Sequence, residues 1–396
     1  MSVGTPFHTR TASLNRKMQW REWSGFWASS AYADSHDIEY NAIREAAAVI
    51  DVSPLFKYRV TGPDALALVD RVITRDATKL GVGHVYYTPW CDEHGKVIDD
   101  GTVHRVGEEE IRWTAADPQY RWLTRNAAGL DVRVEDESES VAALALQGPY
   151  SRAVLEAATG ESWADLRYFR RRAATIAGVE VDVSRTGYTG DLGYELWIPA
   201  DGAEAVWDRL VGVGRAWAIR PAGMLALDVA RLEAGLVMLE VDYTSARHAM
   251  SPDQNYSPFE IGLGRLVSFD KGDYVGRRAL QAEVAAGGPR RRLVGLQLDW
   301  HGIEALFDEQ GLPPAIPPAV DRSPVPVFAE GRQVGRATSH GWSPILKQAL
   351  ALATVDPRHE RVGTGLQVEW TVEGRRGRVG ATVVSLPFLD LERRRA

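Results

Sequence analysis

The sequence has little of several features that define common classes of protein. Its 396 residues include one cysteine, Cys91, so neither an intrachain disulfide nor a cysteine-rich zinc site can form. A lone cysteine is typical of a reducing compartment, which predicts a cytoplasmic location. The formal net charge is −7, and so acidic a chain lacks the basic stripe of a nucleic-acid-binding protein.

Long apolar runs are also missing. The most apolar stretch, residues 219–241, is interrupted by Arg220, Asp228, Arg231 and Glu233, whereas a membrane helix needs about 20 nearly uninterrupted apolar residues. Residues 1–16 have no apolar centre of the kind found in signal peptides. We therefore expect a protein without a membrane-spanning segment.

Several stereotyped sites have no counterpart in the sequence. Neither the phosphate-binding loop Gly-x-x-x-x-Gly-Lys-Ser/Thr nor the dinucleotide fingerprint Gly-x-Gly-x-x-Gly occurs. The zinc-protease motif His-Glu-x-x-His and the hydrolase motif Gly-x-Ser-x-Gly are absent as well. Any chemistry must therefore use less stereotyped arrangements of polar residues.

The hydrophobic pattern predicts an α+β fold. Short β-type runs, such as 85–90 and 97–106 around a turn at 92–95, alternate with amphipathic helical stretches at 203–213 and 224–234. Hairpins at this short spacing argue against a doubly wound parallel sheet.

A second, smaller domain is predicted after the glycine-rich stretch 286–289. Six short β-type runs in the remaining residues indicate a small barrel or sandwich. A proline-rich stretch at 312–326 reads as a loop, and the tail 392–396 is predicted to be disordered.

The first polar cluster is Asp99-Asp100, inside a β-type run. Successive side chains of a strand face opposite sides, so one carboxylate should face solvent and the other the interior or a cleft. The pair could cap a turn, or an inward aspartate could be catalytic, since a buried carboxylate is costly unless hydrogen-bonded or functional. A metal site with His94 and His104 is a third alternative, although the spacing matches no stereotyped ligand pattern.

The second cluster is the glycine-rich stretch 185–196. Gly187, Gly190 and Gly193 permit tight turns and close approach of a ligand. Tyr188 offers a stacking face, and Glu195, next to an apolar run, should be partly buried. A buried carboxylate can accept two parallel hydrogen bonds from an N–H edge such as that of a pterin or guanine. The alternative is a glycine-rich hairpin with a surface glutamate.

The third cluster lies in the helical stretch 224–234. Asp228 and Arg231 are three residues apart and could pair on one helix face. Arg231 could instead hold the carboxylate of a ligand.

Taken in order along nearly the whole chain, these segments resemble the glycine-cleavage T-protein family of folate-dependent aminomethyltransferases. The similarity is carried by several short motifs, each weak alone. They are Asp51-Val-Ser53, Gly95-Lys-Val-Ile-Asp-Asp100, Leu146-Gln-Gly-Pro149, Gly187-Tyr-Thr-Gly190, Gly193-Tyr-Glu195, Arg231-Leu-Glu-Ala-Gly235, Ser257-Pro-Phe-Glu-Ile-Gly-Leu-Gly264, Lys271-Gly-Asp-Tyr-Val-Gly-Arg277 and the stretch 335–344.

The resemblance implies a three-lobed ring. Two α+β folate-binding subdomains would come from residues 1–286, and a C-terminal β-barrel from residues 287–396. It implies tetrahydrofolate as cofactor, Asp99 as the catalytic residue and Glu195 as the carboxylate at the pterin edge, with no metal. The further cofactor-binding residues it implies are Leu55, Tyr87, Tyr188 and Arg231.

By this resemblance, the function would be transfer of an aminomethyl or methyl group from a small donor to tetrahydrofolate. The alternatives are the authentic aminomethyltransferase, which acts on an aminomethyl group carried by lipoyl H-protein, and a non-catalytic folate-binding protein. A non-catalytic branch of the same fold acts in iron–sulfur assembly and has a cysteine where this chain has Asp273. This difference argues against that role. Expected partners are the donor or a lipoyl carrier protein, with a separate oxidase for oxidative demethylation, and the protein would be a monomer or weak dimer.

The sequence departs from the family pattern near the reacting group. An arginine of the family is replaced by Leu227, and its asparagine after the catalytic strand is replaced by Ala116, next to Asp117. The family's Leu-Tyr-Gly corresponds to Met238-Leu-Glu240, and the stretch 242–255 is longer than expected. These differences favour a donor other than the aminomethyl-lipoyl H-protein.

Overall fold

The computed structural model describes residues 2–395. The α-helices within that range are His8–Leu14, His36–Glu45, Ala65–Val72, Tyr120–Asn126, Ser151–Thr159, Ala203–Gly214, Met224–Glu233, Arg277–Ala285 and Trp300–Asp308. None of the helices in the described range is long and apolar enough to cross a membrane.

Two large sheets occupy the first part of the chain. In spatial order, the five-stranded sheet contains Val85–Cys91, Val97–Gly107, Glu110–Ala115, Phe56–Thr61 and Arg133–Asp136. The six-stranded sheet contains Arg171–Ile176, Val179–Ser184, Gly193–Pro199, Val141–Gln147, Ala48–Asp51 and Arg220–Pro221. A small N-terminal sheet contains Val3–Gly4, Phe26–Ser29 and Trp20–Trp23.

The last part of the chain closes into a barrel. Its strands, in spatial order, are Arg292–Leu298, Gln348–Val355, Arg332–Ser343, Val325–Ala329, Gly365–Val372 and Arg375–Val384. Apolar side chains fill the interior, among them Leu296, Val327 and Val368. The predicted α+β class with a C-terminal β-barrel is therefore confirmed.

Two details differ from the sequence-based expectations. The sequence pattern did not predict helices Arg277–Ala285 and Trp300–Asp308, nor the helices before residue 80. The predicted disorder of the tail is wrong for residues 392–395: Glu392–Arg394 forms a 3₁₀ turn, and Arg393 donates to Asp191 at 2.7 and 2.8 Å. This ion pair, to a carboxylate 202 residues away, orders the tail. Ala396 lies outside the described residues.

The hairpin of strands Val85–Cys91 and Val97–Gly107 follows from its turn chemistry. Asp92 Oδ1 accepts the backbone N–H groups of His94 and Lys96 at 2.9 and 2.8 Å. Gly95 has a φ of 69°, a conformation that glycine adopts without strain. The turn fixes the register in which Asp99 lies opposite Trp90.

Helix Met224–Glu233 is buried along most of its length and carries ionised side chains into the interior. Arg231 Nε and Nη1 pair with Asp228 and Asp242 at 2.7 and 2.6 Å, and Nη2 donates to Ser339 Oγ of the barrel at 2.8 Å. Of the two arrangements expected for Arg231, the structure contains the pair with Asp228.

Glu233, two residues further along this helix, is the centre of a second buried network. Its carboxylate accepts from the Tyr40 hydroxyl at 2.6 Å, from Arg44 at 2.7 and 3.0 Å and from the Ser343 hydroxyl at 2.6 Å. Tyr40 and Arg44 belong to helix His36–Glu45, whereas Ser343 belongs to the barrel. The helix thus joins the N-terminal region to the C-terminal barrel.

We predict that Arg231→Met destabilises the protein by about 3–5 kcal/mol, because it leaves the buried carboxylate of Asp242 without its ion-pair partner. Urea unfolding measures the change. Arg358→Met is the matched control, since Arg358 and its partner Asp356 are a surface pair on the barrel, and we expect no measurable change there. Equal effects of the two substitutions would contradict the prediction.

Candidate functional site

Asp99 is fully buried on a strand that pairs with a neighbour on each side. Its strand, Val97–Gly107, is bounded by Val85–Cys91 on one side and Glu110–Ala115 on the other. Close approach of the chains continues at Gly101, where a Cβ would lie 2.1 Å from the Thr114 carbonyl oxygen. The packing of the two strands therefore requires glycine directly after the two aspartates.

The carboxylate of Asp99 accepts hydrogen bonds at both oxygens. Oδ1 accepts the N–H of Asp100 at 2.7 Å. Oδ2 accepts the N–H groups of Asp117 and Ala116 at 2.9 and 3.1 Å, and the side-chain amide of Gln119 at 3.3 Å. Burial and the neighbouring charge of Asp100 raise the pKa of Asp99 well above its ordinary value, against the opposing effect of the N–H donors.

Asp100 is held by two tyrosines from distant parts of the chain. Tyr87 donates its hydroxyl to Oδ2 at 2.7 Å, and Tyr243 donates to Oδ1. Burial raises the pKa of Asp100, whereas the two hydroxyls lower it. Strand alternation correctly predicts that one carboxylate of the pair, Asp99, is buried. The expectation that the other faces solvent is met only in part, because Asp100 is half-buried and both of its oxygens accept tyrosine hydroxyls.

Tyr243 was missed by the sequence reasoning. It lies in the stretch 242–255, whose unexpected length was the available signal. Nothing in the sequence pattern connects it to a residue 143 positions earlier.

Glu195 lies on strand Gly193–Pro199, opposite Ser184 of the neighbouring strand. It is half-buried, and burial raises the pKa of its carboxyl. Within residues 2–395, only the hydroxyl of Thr186 donates to this carboxylate, at Oε2. A ligand that presents N–H donors could therefore bind the remaining acceptor positions.

Tyr188 lies in the loop between these two strands and is half-buried. Its hydroxyl donates to the carbonyl oxygen of Val237, which fixes the ring. Tyr188 is one of the groups that raise the pKa of Tyr87, after burial and Asp100. The loop thus connects the surroundings of Glu195 with those of Asp100.

The chain is similar to known proteins over nearly its whole length. Residues 7–271 match the GCVT N-terminal domain, and residues 291–390 match the glycine cleavage T-protein C-terminal barrel domain. An aminomethyltransferase of Moorella thermoacetica is 36% identical over 388 residues, which cover 97% of each chain. The chain belongs to the glycine cleavage T-protein family.

Two other known proteins are similar to this chain, one in sequence and one in structure. A trimethylamine-oxide aldolase of Ruegeria pomeroyi is 37% identical over 410 residues, and the chain spans 48% of that relative's length. The crystal structure of the glycine cleavage system aminomethyltransferase T from Bartonella henselae covers 98% of both chains with a TM-score of 0.82 and 24% identity. This last likeness shows the fold.

Of the two remaining predicted residues, Leu55 is half-buried and Arg231 is fully buried. Leu55 packs against the apolar cluster that also contacts Tyr188, a cluster that includes Trp197 and Ala145. Arg231 is fully buried in the ion-pair network with Asp228 and Asp242.

The alternative metal arrangement is not found in the structure. No group of three or more His, Cys, Asp or Glu side chains in residues 2–395 is placed to hold a metal ion. His94 is exposed in the hairpin turn, whereas His104 is buried against Trp197.

We predict that Tyr243→Phe destabilises the protein by about 1–3 kcal/mol at about pH 8 and by less at about pH 4. Loss of the hydroxyl raises the pKa of Asp100 further. A carboxyl whose pKa is raised by folding costs no stability below its unfolded pKa, and the cost grows as the pH rises through the folded pKa. Urea unfolding at the two pH values measures this, with the half-exposed Tyr120→Phe as control. The same loss at both pH values would contradict the assignment.

Proposed function

We propose that this protein is a tetrahydrofolate-dependent one-carbon transferase that takes an aminomethyl or methyl group from a small donor. The observation that carries the proposal is the buried Asp99 carboxylate, held by N–H donors and adjacent to the Asp100–tyrosine pair. A fully buried carboxylate of raised pKa next to a second carboxylate is a feature of functional sites.

The residues around Glu195 are suited to a reduced pterin. Its half-buried carboxylate has one hydroxyl donor and further acceptor positions, which suit a flat ring edge with adjacent N–H groups. Tyr188 and Leu55 pack against one apolar cluster and would border the ring. Tetrahydrofolate, when bound, supplies the nitrogen that receives the one-carbon unit.

Asp99 would hold and move a proton at Oδ1 or Oδ2. Because burial and Asp100 raise its pKa, the carboxyl can take a proton from an amine and return it to a leaving group. In its ionised form it stabilises positive charge that develops beside it, an effect that is strong where water is excluded. Tyr87 and Tyr243 fix Asp100 and so fix the chain direction at Asp99. In this proposal Arg231 does not touch the cofactor. Its buried positive charge acts on Tyr188, whose pKa it lowers against the larger effect of burial.

The relatives support two classes of donor. The Moorella protein is named an aminomethyltransferase and matches this chain over nearly its full length. That match favours the second candidate, an aminomethyltransferase whose donor is carried by a lipoyl protein. The relative named trimethylamine-oxide aldolase points instead to a small methylated amine oxide. We favour a small donor because Ala116, whose N–H donates to Asp99, and Leu239 stand where the family has other residues. We place the enzyme in the cytoplasm because its cysteine is unpaired.

We predict that Glu195→Ala weakens tetrahydrofolate binding roughly 30- to 150-fold, since a bidentate hydrogen bond to a charged group contributes about 2–3 kcal/mol. Isothermal titration calorimetry of the purified protein with tetrahydrofolate measures the change. Glu180→Ala, an exposed glutamate on the neighbouring strand, should bind as the wild type does. Absence of binding by the wild-type protein would refute the proposed cofactor while leaving the family assignment intact.

We further predict that Asp99→Asn lowers turnover by about 10²- to 10⁴-fold while tetrahydrofolate binding is retained, because only the proton-carrying group is lost. Methylene- and methyl-tetrahydrofolate formation would be followed with two donors, an aminomethylated lipoyl H-protein and trimethylamine N-oxide. Turnover with the H-protein alone would favour the second candidate. An Asp99→Asn variant as active as the wild type would exclude Asp99 as the catalytic residue.

A further inference from the structure

Residues 238–250, which we call the strap, lie along the strand that carries Asp99. Beyond the contact of Tyr243 with Asp100, two hydrogen bonds hold the strap to this strand. The hydroxyl of Ser245 donates to the carbonyl oxygen of Ile98 at 2.7 Å, and the N–H of Ala246 donates to that of Val97 at 2.8 Å. The strap therefore forms part of the wall around the buried Asp99.

Glu240 adopts an unfavourable backbone conformation within the strap. Its φ is 60°, in the left-handed region that side chains other than glycine rarely adopt. Such a conformation is unfavourable and persists only when the surroundings enforce it. A glycine at this position would adopt the conformation without strain, so the contacts of the glutamate side chain decide whether it offsets that cost.

The contribution of the Glu240 side chain is visible in its contacts. Oε1 accepts the N–H of Ser245 at 2.9 Å and lies 3.0 Å from Nδ1 of His248. The other ring nitrogen of His248, Nε2, lies 3.3 Å from Oδ2 of Asp117. One imidazole thus bridges a carboxylate of the strap and a carboxylate outside it.

The far end of this bridge is next to the proposed catalytic group. The backbone N–H of Asp117 is the one that donates to Asp99 Oδ2 at 2.9 Å. Arg247 supports the same attachment, since its guanidinium donates to the carbonyl oxygen of Pro118 at 2.8 Å. The strap is therefore anchored to the turn that supplies two N–H donors to Asp99.

We propose that Glu240 and His248 are positioning residues, which clasp the strap to Asp117 and so fix both the hydrogen bonds of Asp99 and the access of the donor to it. The catalytic part of this inference rests on the proposed function, whereas the clasp itself does not. Opening the clasp would release the strap from Asp117 and loosen Tyr243 on Asp100.

Substitution of Glu240 by glycine separates this inference from a purely local role. If the glutamate is merely tolerated in a strained turn, Glu240→Gly relieves the strain and tightens the strap. If the glutamate holds His248 and Ser245, the same substitution loosens the strap despite the relieved backbone. The two possibilities predict changes of opposite sign.

Thiol labelling reports the strap's opening. Cys91 is fully buried, so Ala246→Cys adds a single reporter at a partly buried strap position that packs against the core. We expect Glu240→Gly and His248→Ala, each in the Ala246→Cys background, to raise its rate of reaction with Ellman's reagent about tenfold, because local opening follows the lost hydrogen bonds. Glu240→Gln keeps an acceptor oxygen and should stay within a few-fold of the parent.

A matched control is provided by Glu330, another left-handed glutamate, with a φ of 49°, at an exposed turn of the barrel. Glu330→Gly should leave the labelling rate unchanged. Slower or unchanged labelling of Glu240→Gly would overturn the clasp.

The catalytic part has its own readout. With whichever donor is turned over, Glu240→Gly and His248→Ala should lower kcat/KM for that donor about tenfold. Glu240→Gln should retain nearly the wild-type kcat/KM, and none of the three variants should change the affinity for tetrahydrofolate. Unchanged kcat/KM in clasp variants that label faster would overturn the positioning role. Failure of the proposed function is recognised separately, because then the wild-type protein would not bind tetrahydrofolate while the labelling result would still decide the clasp.

Discussion

The structure depends on the pairing of charges that helix Met224–Glu233 carries into the interior. Uncompensated buried charges cost several kcal/mol each, so Arg231 and Glu233 are acceptable only when their partners are in place. Helix His36–Glu45 supplies Arg44, and the stretch that follows Met224–Glu233 supplies Asp242. The barrel supplies Ser339 and Ser343. One short helix therefore obliges three distant parts of the chain to assemble together.

This network is linked to the candidate site because Asp242, which pairs with Arg231, directly precedes Tyr243 in the chain. Asp242 is fixed by Arg231 and also accepts hydroxyl hydrogen bonds from Thr338 and Ser339. The next residue is Tyr243, whose hydroxyl binds Asp100. The geometry at the Asp99-Asp100 pair is thus coupled to packing between the helix and the barrel, although neither contacts Asp99 directly.

Much of this arrangement could be predicted from the sequence where the signals are local. The hairpin turn at 92–95, the burial of one aspartate of the pair and the partial burial of Glu195 follow from turn residues and strand alternation. The N–H donors of Ala116 and Asp117 and the hydroxyl of Tyr243 could not be predicted, because they reach Asp99 and Asp100 only after the sheet and strap are assembled. The ion pair of Arg393 could not be predicted for the same reason, since its partner Asp191 lies far away in the sequence. A short basic tail also has the composition of a solvated one.

The return of the C-terminal segment has a consequence for synthesis of the protein. Arg393 donates to Asp191 and to the carbonyl oxygen of Arg44, and the N–H of Leu389 donates to the carbonyl oxygen of Glu233. The buried carboxylate of Asp191 and the backbone carbonyl of Glu233 therefore emerge from the ribosome long before these C-terminal partners. Until residue 393 is synthesised, Asp191 has Arg44 but not Arg393 as a cationic partner. The C-terminal segment therefore completes the polar contacts of the first part of the chain as well as following its own barrel.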